Sequence, residues 1–216
     1  MGNVQGNVIE VTGVETLGKG KYRVSFSDGT TCLLYRGEMR TYGIEEGKDL
    51  GSDSYSRLMT ETLGKRAKKR AMYLLEQMDR TEKQLREKLL SNEYPQICID
   101  DAVEYVKRFH YLDDYRYACN YIRYGGAKLS RQMVRQKLMQ KGVDRKVIEA
   151  ALEEEYSSEE LPMIQALLEK RHFVPGQCDD KEFRRIFQYL LRRGFQSSEI
   201  LKAMKCENCT ISSGDY

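Results

Sequence analysis

The stretch Tyr111-Leu112-Asp113-Asp114-Tyr115-Arg116-Tyr117-Ala118 reads as a joint between two similar all-helical units. A helix-forming run ends before it, at Phe109-His110, and another begins within it, with Tyr115, Tyr117, Tyr121 and Tyr124 recurring at helical spacing up to Gly125-Gly126. The acidic pair stands directly before the new run, where a carboxylate accepts free backbone N–H groups and meets the positive end of the helix dipole. A chain divided this way is a repeat protein, and it points to binding along a polymer.

Working outward, the chain is self-similar. A shift of about 49 positions places Leu85, Leu89, Tyr94, Ile99, Ala102 and Val103 on Val134, Leu138, Val143, Ile148, Ala151 and Leu152. A further shift of about 52 reaches Ile186, Leu190, Phe195, Ile200, Ala203 and Met204. Gly142-Val143 and Gly194-Phe195 fall just past a helix, where a left-handed residue lets the next apolar side chain fold back on the last turn. Glu93-Tyr94-Pro95 stands there in the first unit, so a different turn is expected.

Each unit reads as three helices. In the second these are residues 115–124 closed by Gly125-Gly126, 129–141 closed by Gly142, and 144–154 opened by Asp144. In the third they are 161–171 with Pro162 in the first turn, 180–193 and 197–205. The expected fold class is mainly α: tandem three-helix repeats in an elongated curved solenoid, behind a small antiparallel β unit. The expected boundaries are 1–56 for the β unit and linker, 57–112, 113–156 and 157–206 for the repeats, and 207–216 for a tail.

The β unit rests on Val8, Ile9 and Val11, then Tyr22, Val24 and Phe26, then Cys32, Leu33, Leu34 and Tyr35, separated by Gly18-Lys19-Gly20 and Ser27-Asp28-Gly29. Three strands forming a meander need an apolar cover, and a short helix over 37–42 is one candidate. A polar stretch over 45–56 separates this unit from a helical segment over 58–79 that carries the densest basic cluster, Lys65-Arg66-Ala67-Lys68-Lys69-Arg70.

Composition narrows the function classes. Of 216 residues 32% are charged, which suits an elongated molecule better than one compact globule. The 36 Lys and Arg are nearly balanced by 33 Asp and Glu, so only local clustering can argue for an anionic partner. No run approaches a membrane span, and Met1-Gly2-Asn3-Val4-Gln5 lacks the basic and apolar regions of a signal peptide, so a cytoplasmic protein is expected; a monomer is expected as well. The six cysteines are scattered, and reduced thiols are the default.

Chemistry-bearing constellations are weak. The pairs Asp100-Asp101, Asp113-Asp114 and Asp179-Asp180 suggest a metal or acid–base site, but each precedes an amphipathic run and capping is the stronger explanation. Arg116 lies in a first helical turn, where the dipole disfavours it, and a partner at Asp113 or in the adjoining unit is expected. Cys206 and Cys209, with His172 and Cys178, could supply four zinc ligands, yet a secure site shows two close ligand pairs. Free thiols, no metal and no cofactor are expected. No nucleophile sits in a recognisable motif, and His110 and His172 both follow helical runs as helix-end residues. Catalysis is not expected. The recurring tyrosines fit packing between repeats better than base stacking.

Basic residues recur in every unit. They are Lys65, Arg66, Lys68, Lys69 and Arg70 in the first, Arg131, Arg135 and Lys137 in the second, and Lys170, Arg171, Lys181, Arg184, Arg185 and Arg192 in the third. Over 180–193 the buried stripe is Phe183, Ile186, Phe187, Leu190 and Leu191, which gathers Lys181, Arg184, Arg185 and Arg192 opposite. A solvated face explains any one helix; recurrence favours a cationic strip for an anionic partner.

The signature Tyr111, Leu112, Asp113, Asp114, Tyr115, Arg116, Tyr117, Ala118 resembles that of the bacterial RecX family of recombinase regulators, aromatic-Leu-Asp-Asp-x-Arg-aromatic-Ala. Residues 80–89 are similar to the family's first-repeat helix and 128–143 to its second, so the resemblance spans about 65–205. It departs at Glu93-Tyr94-Pro95 and around 173–178, and the β unit resembles an extension found in some members. The resemblance implies a non-enzymatic protein that lodges in the groove of the RecA–DNA filament, inhibits ATP hydrolysis and strand exchange by RecA, and binds single- or double-stranded DNA in some cases. A directly DNA-binding helical regulator is the alternative. A structural adaptor unconnected to DNA is the third class.

Overall fold

The computed structural model describes residues 8–126, 128–157, 159–174 and 178–204. It comprises two compact units that divide after Asp114. Among the described residues no helix is long and apolar enough to cross a membrane.

The first unit opens with strands β1 (Ile9–Gly18), β2 (Lys21–Phe26) and β3 (Thr31–Tyr35), followed by helix α1 (Arg36–Tyr42). The three strands form the expected antiparallel meander. The sheet has a fourth member, however: β4 (Asp49–Leu50) pairs antiparallel with β1, giving the order β3-β2-β1-β4. It lies in the stretch read from sequence as a polar separator. Two residues are too few to show alternation, and Leu50, 5% exposed, is its whole apolar signal.

Directly after β4, α2 (Ser52–Arg57), a π-helical turn (Leu58–Gly64) and α3 (Lys65–Gln77) follow without interruption, so the helix starts earlier than position 58. These helices supply the cover that the sheet requires. Val24, Cys32 and Leu34 from the strands join Leu58, Leu63 and Ala67 in one buried cluster, together with Leu85, Leu89, Ile99 and Val103. Burial of each such aliphatic side chain contributes about 1.5–3 kcal/mol, which a short meander could not gather alone.

The repeats follow as expected. The first is α3, α4 (Glu82–Leu90) and α5 (Gln96–Arg108). The second is α6 (Asp114–Tyr121) with its π-helical turn (Ile122–Gly126), α7 (Arg131–Gln140) and α8 (Arg145–Glu155). The third is α9 (Glu160–Glu169), α10 (Asp180–Arg192) and α11 (Ser197–Ala203). The six apolar positions aligned by the two shifts are buried in all three repeats. In the second unit they belong to two separate clusters, one per repeat.

The turn after each second helix is one motif, not two. Gly142 and Gly194 have φ of 89° and 81°, and Glu93 adopts the same left-handed conformation at 58°. In each case the following N–H donates to a carbonyl five residues back: Tyr94 to Leu89 at 3.3 Å, Val143 to Leu138 at 3.1 Å, Phe195 to Leu190 at 3.4 Å. The Glu93 carboxylate is also held by Arg23 of β2, with Nε–Oε2 at 2.6 Å and Nη2–Oε1 at 2.8 Å. The expectation of a different turn was therefore wrong. His110 and His172 occupy the same left-handed position after α5 and α9, as helix-end residues should.

Gly125-Gly126 does not act as a left-handed cap. Neither has positive φ; both lie inside the π-helical turn. A Cβ on Gly126 would stand 3.2 Å from Val134 Cγ2, so glycine there permits close approach to α7.

Candidate interaction surface and repeat junctions

The acidic pairs take three different roles. Asp179 caps its own helix, accepting the Glu182 N–H at 2.6 Å. Asp100 and Asp101, expected at a cap, lie inside α5, whose N-cap is Pro95. There they pair with cations of neighbouring helices, Asp100 with Arg86 at 2.5 Å and Asp101 with Lys68 at 2.8 Å. Asp114 serves a helix other than its own: its Oδ1 accepts the N–H of Glu82, the first residue of α4, at 2.8 Å. Burial pushes its carboxyl above the usual range, more strongly than the Glu82 N–H lowers it.

The second unit repeats that device with a residue not singled out in the sequence. Glu160, first in α9, accepts the N–H of Arg131, first in α7, at 2.7 Å. The first helix of one repeat thus satisfies an orphan donor at the second helix of the repeat before it. A carboxylate capping a helix distant in sequence leaves no local motif.

The signature stretch contributes to both cores: Leu112 is buried with the first and Ala118 with the second. Tyr117 and Tyr121 are partly buried against the second core and lie beneath the Lys141 ammonium, at 5.9 and 5.7 Å. Tyr115 donates to Glu154, and Tyr124 is 81% exposed. Asp113 is half-buried, and Tyr111 and Arg116 are exposed.

Helical periodicity sorts the basic clusters. In α3, Lys65 and Lys69 face solvent and pair with no other described residue. Arg66 turns inward, donating to Glu38 at 2.9 and 3.0 Å and to the Leu33 carbonyl at 2.5 Å. Lys68 lies over the Tyr105 ring at 5.4 Å, and Arg70 donates to Asn92 at 3.0 Å. In α7, Arg131 and Lys137 are half-buried. Arg135 forms a two-point pair with Glu149, at 2.6 and 3.0 Å.

The third repeat keeps more of its charge available. Lys170, Arg171, Lys181, Arg184, Arg185 and Arg192 are all exposed. Arg171 stacks 3.7 Å over the Tyr189 ring, and Arg185 approaches Glu182 at 3.5 Å. Lys181, Arg184 and Arg192 pair with no other described residue. Ile186, Phe187 and Leu190 are buried and Phe183 and Leu191 half-buried, as the stripe required.

Hydrogen bonding to Arg135 holds the Glu149 carboxyl below the usual range, against a smaller opposing effect of burial. The contribution of this pair is therefore present above the ordinary carboxylate pKa of about 4.3 and is lost as pH falls through the lower folded-state value. Because a third of the Glu149 side chain is exposed, Glu149→Gln should cost only about 0.5–1 kcal/mol at neutral pH. Urea titrations should show that deficit shrinking in acid; a constant deficit would contradict it.

Among the described residues no group of three or more His, Cys, Asp and Glu side chains gathers as a metal set. Cys206 and Cys209 lie outside the described residues. Burial pushes the Cys98 thiol up to about 11 and Cys32 up to about 12, which leaves both thiols protonated and inert near neutrality.

Three-helix units with this joint and these turns have known counterparts. The family models for the first, second and third three-helix domains of RecX match residues 67–105, 113–152 and 158–204. The chain belongs to the RecX family. It is 32% identical to the regulatory protein RecX of Caldanaerobacter subterraneus subsp. tengcongensis, over 75% of this chain and 81% of the relative. With the regulatory protein RecX of Clostridium acetobutylicum it shares 30% identity over 90% and 94%. A crystal structure of regulatory protein RecX has the same fold, with a TM-score of 0.62, 22% identity, and coverage of 92% of this chain and all of the other. That share is too large for the sheet to lie wholly outside the match. RecX from Lactobacillus salivarius matches at a TM-score of 0.55 and 20% identity, over 66% of this chain and 95% of the other. The RecX relatives are named as regulatory proteins.

Proposed function

We propose that this chain binds the RecA recombinase or its DNA filament and modulates, mainly inhibits, its ATPase, recombinase and strand-exchange activity, thereby regulating DNA repair and recombination. The observation that carries the reading is the match of all three RecX three-helix domains, in order, along the helical part of the chain. The arrangement suits the role. Separate repeats can contact several protomers of a filament, and linked weak contacts gain avidity without a deep pocket.

The deciding measurement is RecA's DNA-dependent ATPase with and without saturating protein. A marked fall is expected; full activity would overturn the reading. We assign the filament contact to the exposed cations, Lys65 and Lys69 on α3 and Lys181, Arg184, Arg185 and Arg192 on α10. Replacing Arg184, Arg185 and Arg192 together by glutamine should raise the half-inhibitory concentration about tenfold, since each rim charge contributes a few tenths of a kcal/mol or more. Inhibition that persists undiminished would make this face solvated surface only.

Direct DNA binding is the second reading, favoured by the same cations, which apart from Arg185 pair with no carboxylate among the described residues. It predicts that labelled DNA binds without RecA, with log affinity falling by about 0.7–0.9 per log unit of salt for each phosphate neutralised.

A further inference from the structure

Within the second unit, α7 and α9 border an open groove of about 470 Å³ that the reading above does not use. Its walls are two helical stripes. Met133 and Lys137 are one turn apart on α7, and Met163, Ala166, Leu167 and Lys170 follow the i, i+3, i+4, i+7 pattern on α9. Leu129 and Phe195 complete the apolar lining. The α9 stripe extends for about 10 Å, from the rise of 1.5 Å per residue, which is enough for two apolar side chains of an incoming segment.

The rim has one sign of charge. Lys128, Lys137, Lys170 and Arg193 line the groove and no acidic residue does. None of the four pairs with a carboxylate among the described residues. That contrasts with the opposite side of α7, where Arg135 is neutralised by Glu149. Lys137 in the last turn of α7, and Lys170 and Arg193 at the helix C-termini they cap, also suit the dipole, but it explains neither Lys128 nor the half-exposed methionines between the cations. Unbranched, polarizable methionine side chains are suited to surfaces that accommodate an incoming apolar group.

We infer that this groove docks a short acidic segment of a partner protein, with two aliphatic side chains on the Met133–Met163 floor and carboxylates against the four cations. Two features select this occupant. A nucleic-acid strand would leave the aliphatic floor without a matching surface, since aromatic platforms rather than aliphatic ones take bases. A helical segment with anchors at i, i+3 and i+4 fits an apolar groove between helices and carries its charges at the rim.

The test is fluorescence anisotropy of the full chain with a labelled peptide built only of leucine and glutamate, leucines at i, i+3, i+4 and i+7. A matched peptide with serine for leucine and a labelled oligothymidylate serve as comparison probes. The leucine peptide should bind, and the serine peptide should bind at least about tenfold more weakly, as loss of two buried aliphatic anchors requires. Ala166→Glu is the decisive variant: Ala166 is exposed, glutamate is a good helix former, and the new carboxylate stands in the groove. It should weaken leucine-peptide binding about tenfold with the circular dichroism unchanged. Absence of binding overturns the inference, as does equal binding of the serine peptide. Oligothymidylate that displaces the leucine peptide and loses affinity in A166E would overturn it in favour of nucleic acid. These outcomes are independent of RecA, so they stand apart from the ATPase result.

Discussion

Replacing Gly194 by alanine is expected to destabilise the second unit by about 3 kcal/mol, from two sources of similar size. The first is conformational: φ is 81°, and alanine in that region costs about 1 kcal/mol or somewhat more. The second is steric. An added Cβ would stand 2.7 Å from Ser130 Oγ and 3.2 Å from both Gln132 Cβ and Met133 N, at the start of α7.

Ser130 cannot yield without loss. It is 1% exposed, accepts the Met133 N–H as the N-cap of α7, and donates to the Arg193 carbonyl at 2.6 Å. The single residue therefore closes α10, opens α7 and joins the two. Ser130→Ala alone should cost about 1–2 kcal/mol, through a lost cap and the lost hydrogen bond to the part-buried Arg193 carbonyl. Because it also removes the atom that collides, the double variant should be less destabilised than the sum of the two. Urea unfolding followed by helical circular dichroism gives the four energies. Additivity within about 0.5 kcal/mol would mean that Gly194 and Ser130 do not constrain each other.

Glu93 and His172 are internal controls on the first source. Both have the same conformation without glycine, so the left-handed backbone is tolerable and the collision at Ser130 makes position 194 exacting. Local sequence encodes some of these features and not others. Leu85, Leu89, Val134, Leu138, Ile186 and Leu190 announced the repeat because burial on a helix face has a short period. Glu93 did not announce its turn, because it lacks the glycine that marks the other two, and the residue that holds its carboxylate lies seventy positions away on a strand. Asp114 and Glu160 were obscured for the same reason, since each caps a helix formed by an earlier segment.

The candidate surface shows this difference most plainly. Lys65, Arg66, Lys68, Lys69 and Arg70 read as one cluster in sequence, and the structure divides it by the helical period into two residues facing water and three engaged with the unit. In α10 no such division arises, because its apolar stripe is broad enough to place every cation on the far side. A charge run is thus informative about a surface only where the same helix shows its buried face.

Arg66→Met is expected to cost about 2–3 kcal/mol, the second large effect. Breaking a fully buried ion pair costs about 3–5 kcal/mol, and the Arg66 and Glu38 side chains retain 24% and 20% exposure, which relieves part of it. The loss is not confined to the pair. One guanidinium nitrogen reaches both Glu38 oxygens and another reaches the Leu33 carbonyl of β3, while Cζ lies 5.0 Å from the Tyr35 ring centre and 5.7 Å from that of Tyr94. Glu38 in turn accepts the Tyr35 N–H at 2.7 Å at the start of α1. Strand, short helix and α3 are thereby joined through one side chain. Glu38→Gln should cost about 1 kcal/mol, and the double variant should recover about 1–2 kcal/mol of the sum, because the glutamine no longer strands a charge. Arg66→Lys discriminates further: an ammonium can meet the carboxylate, but it cannot also fork to the carbonyl while keeping a planar cation beside the two rings. It should therefore retain less than half of the stability that Arg66→Met loses, and a lysine variant as stable as the parent would reduce the interaction to simple charge pairing.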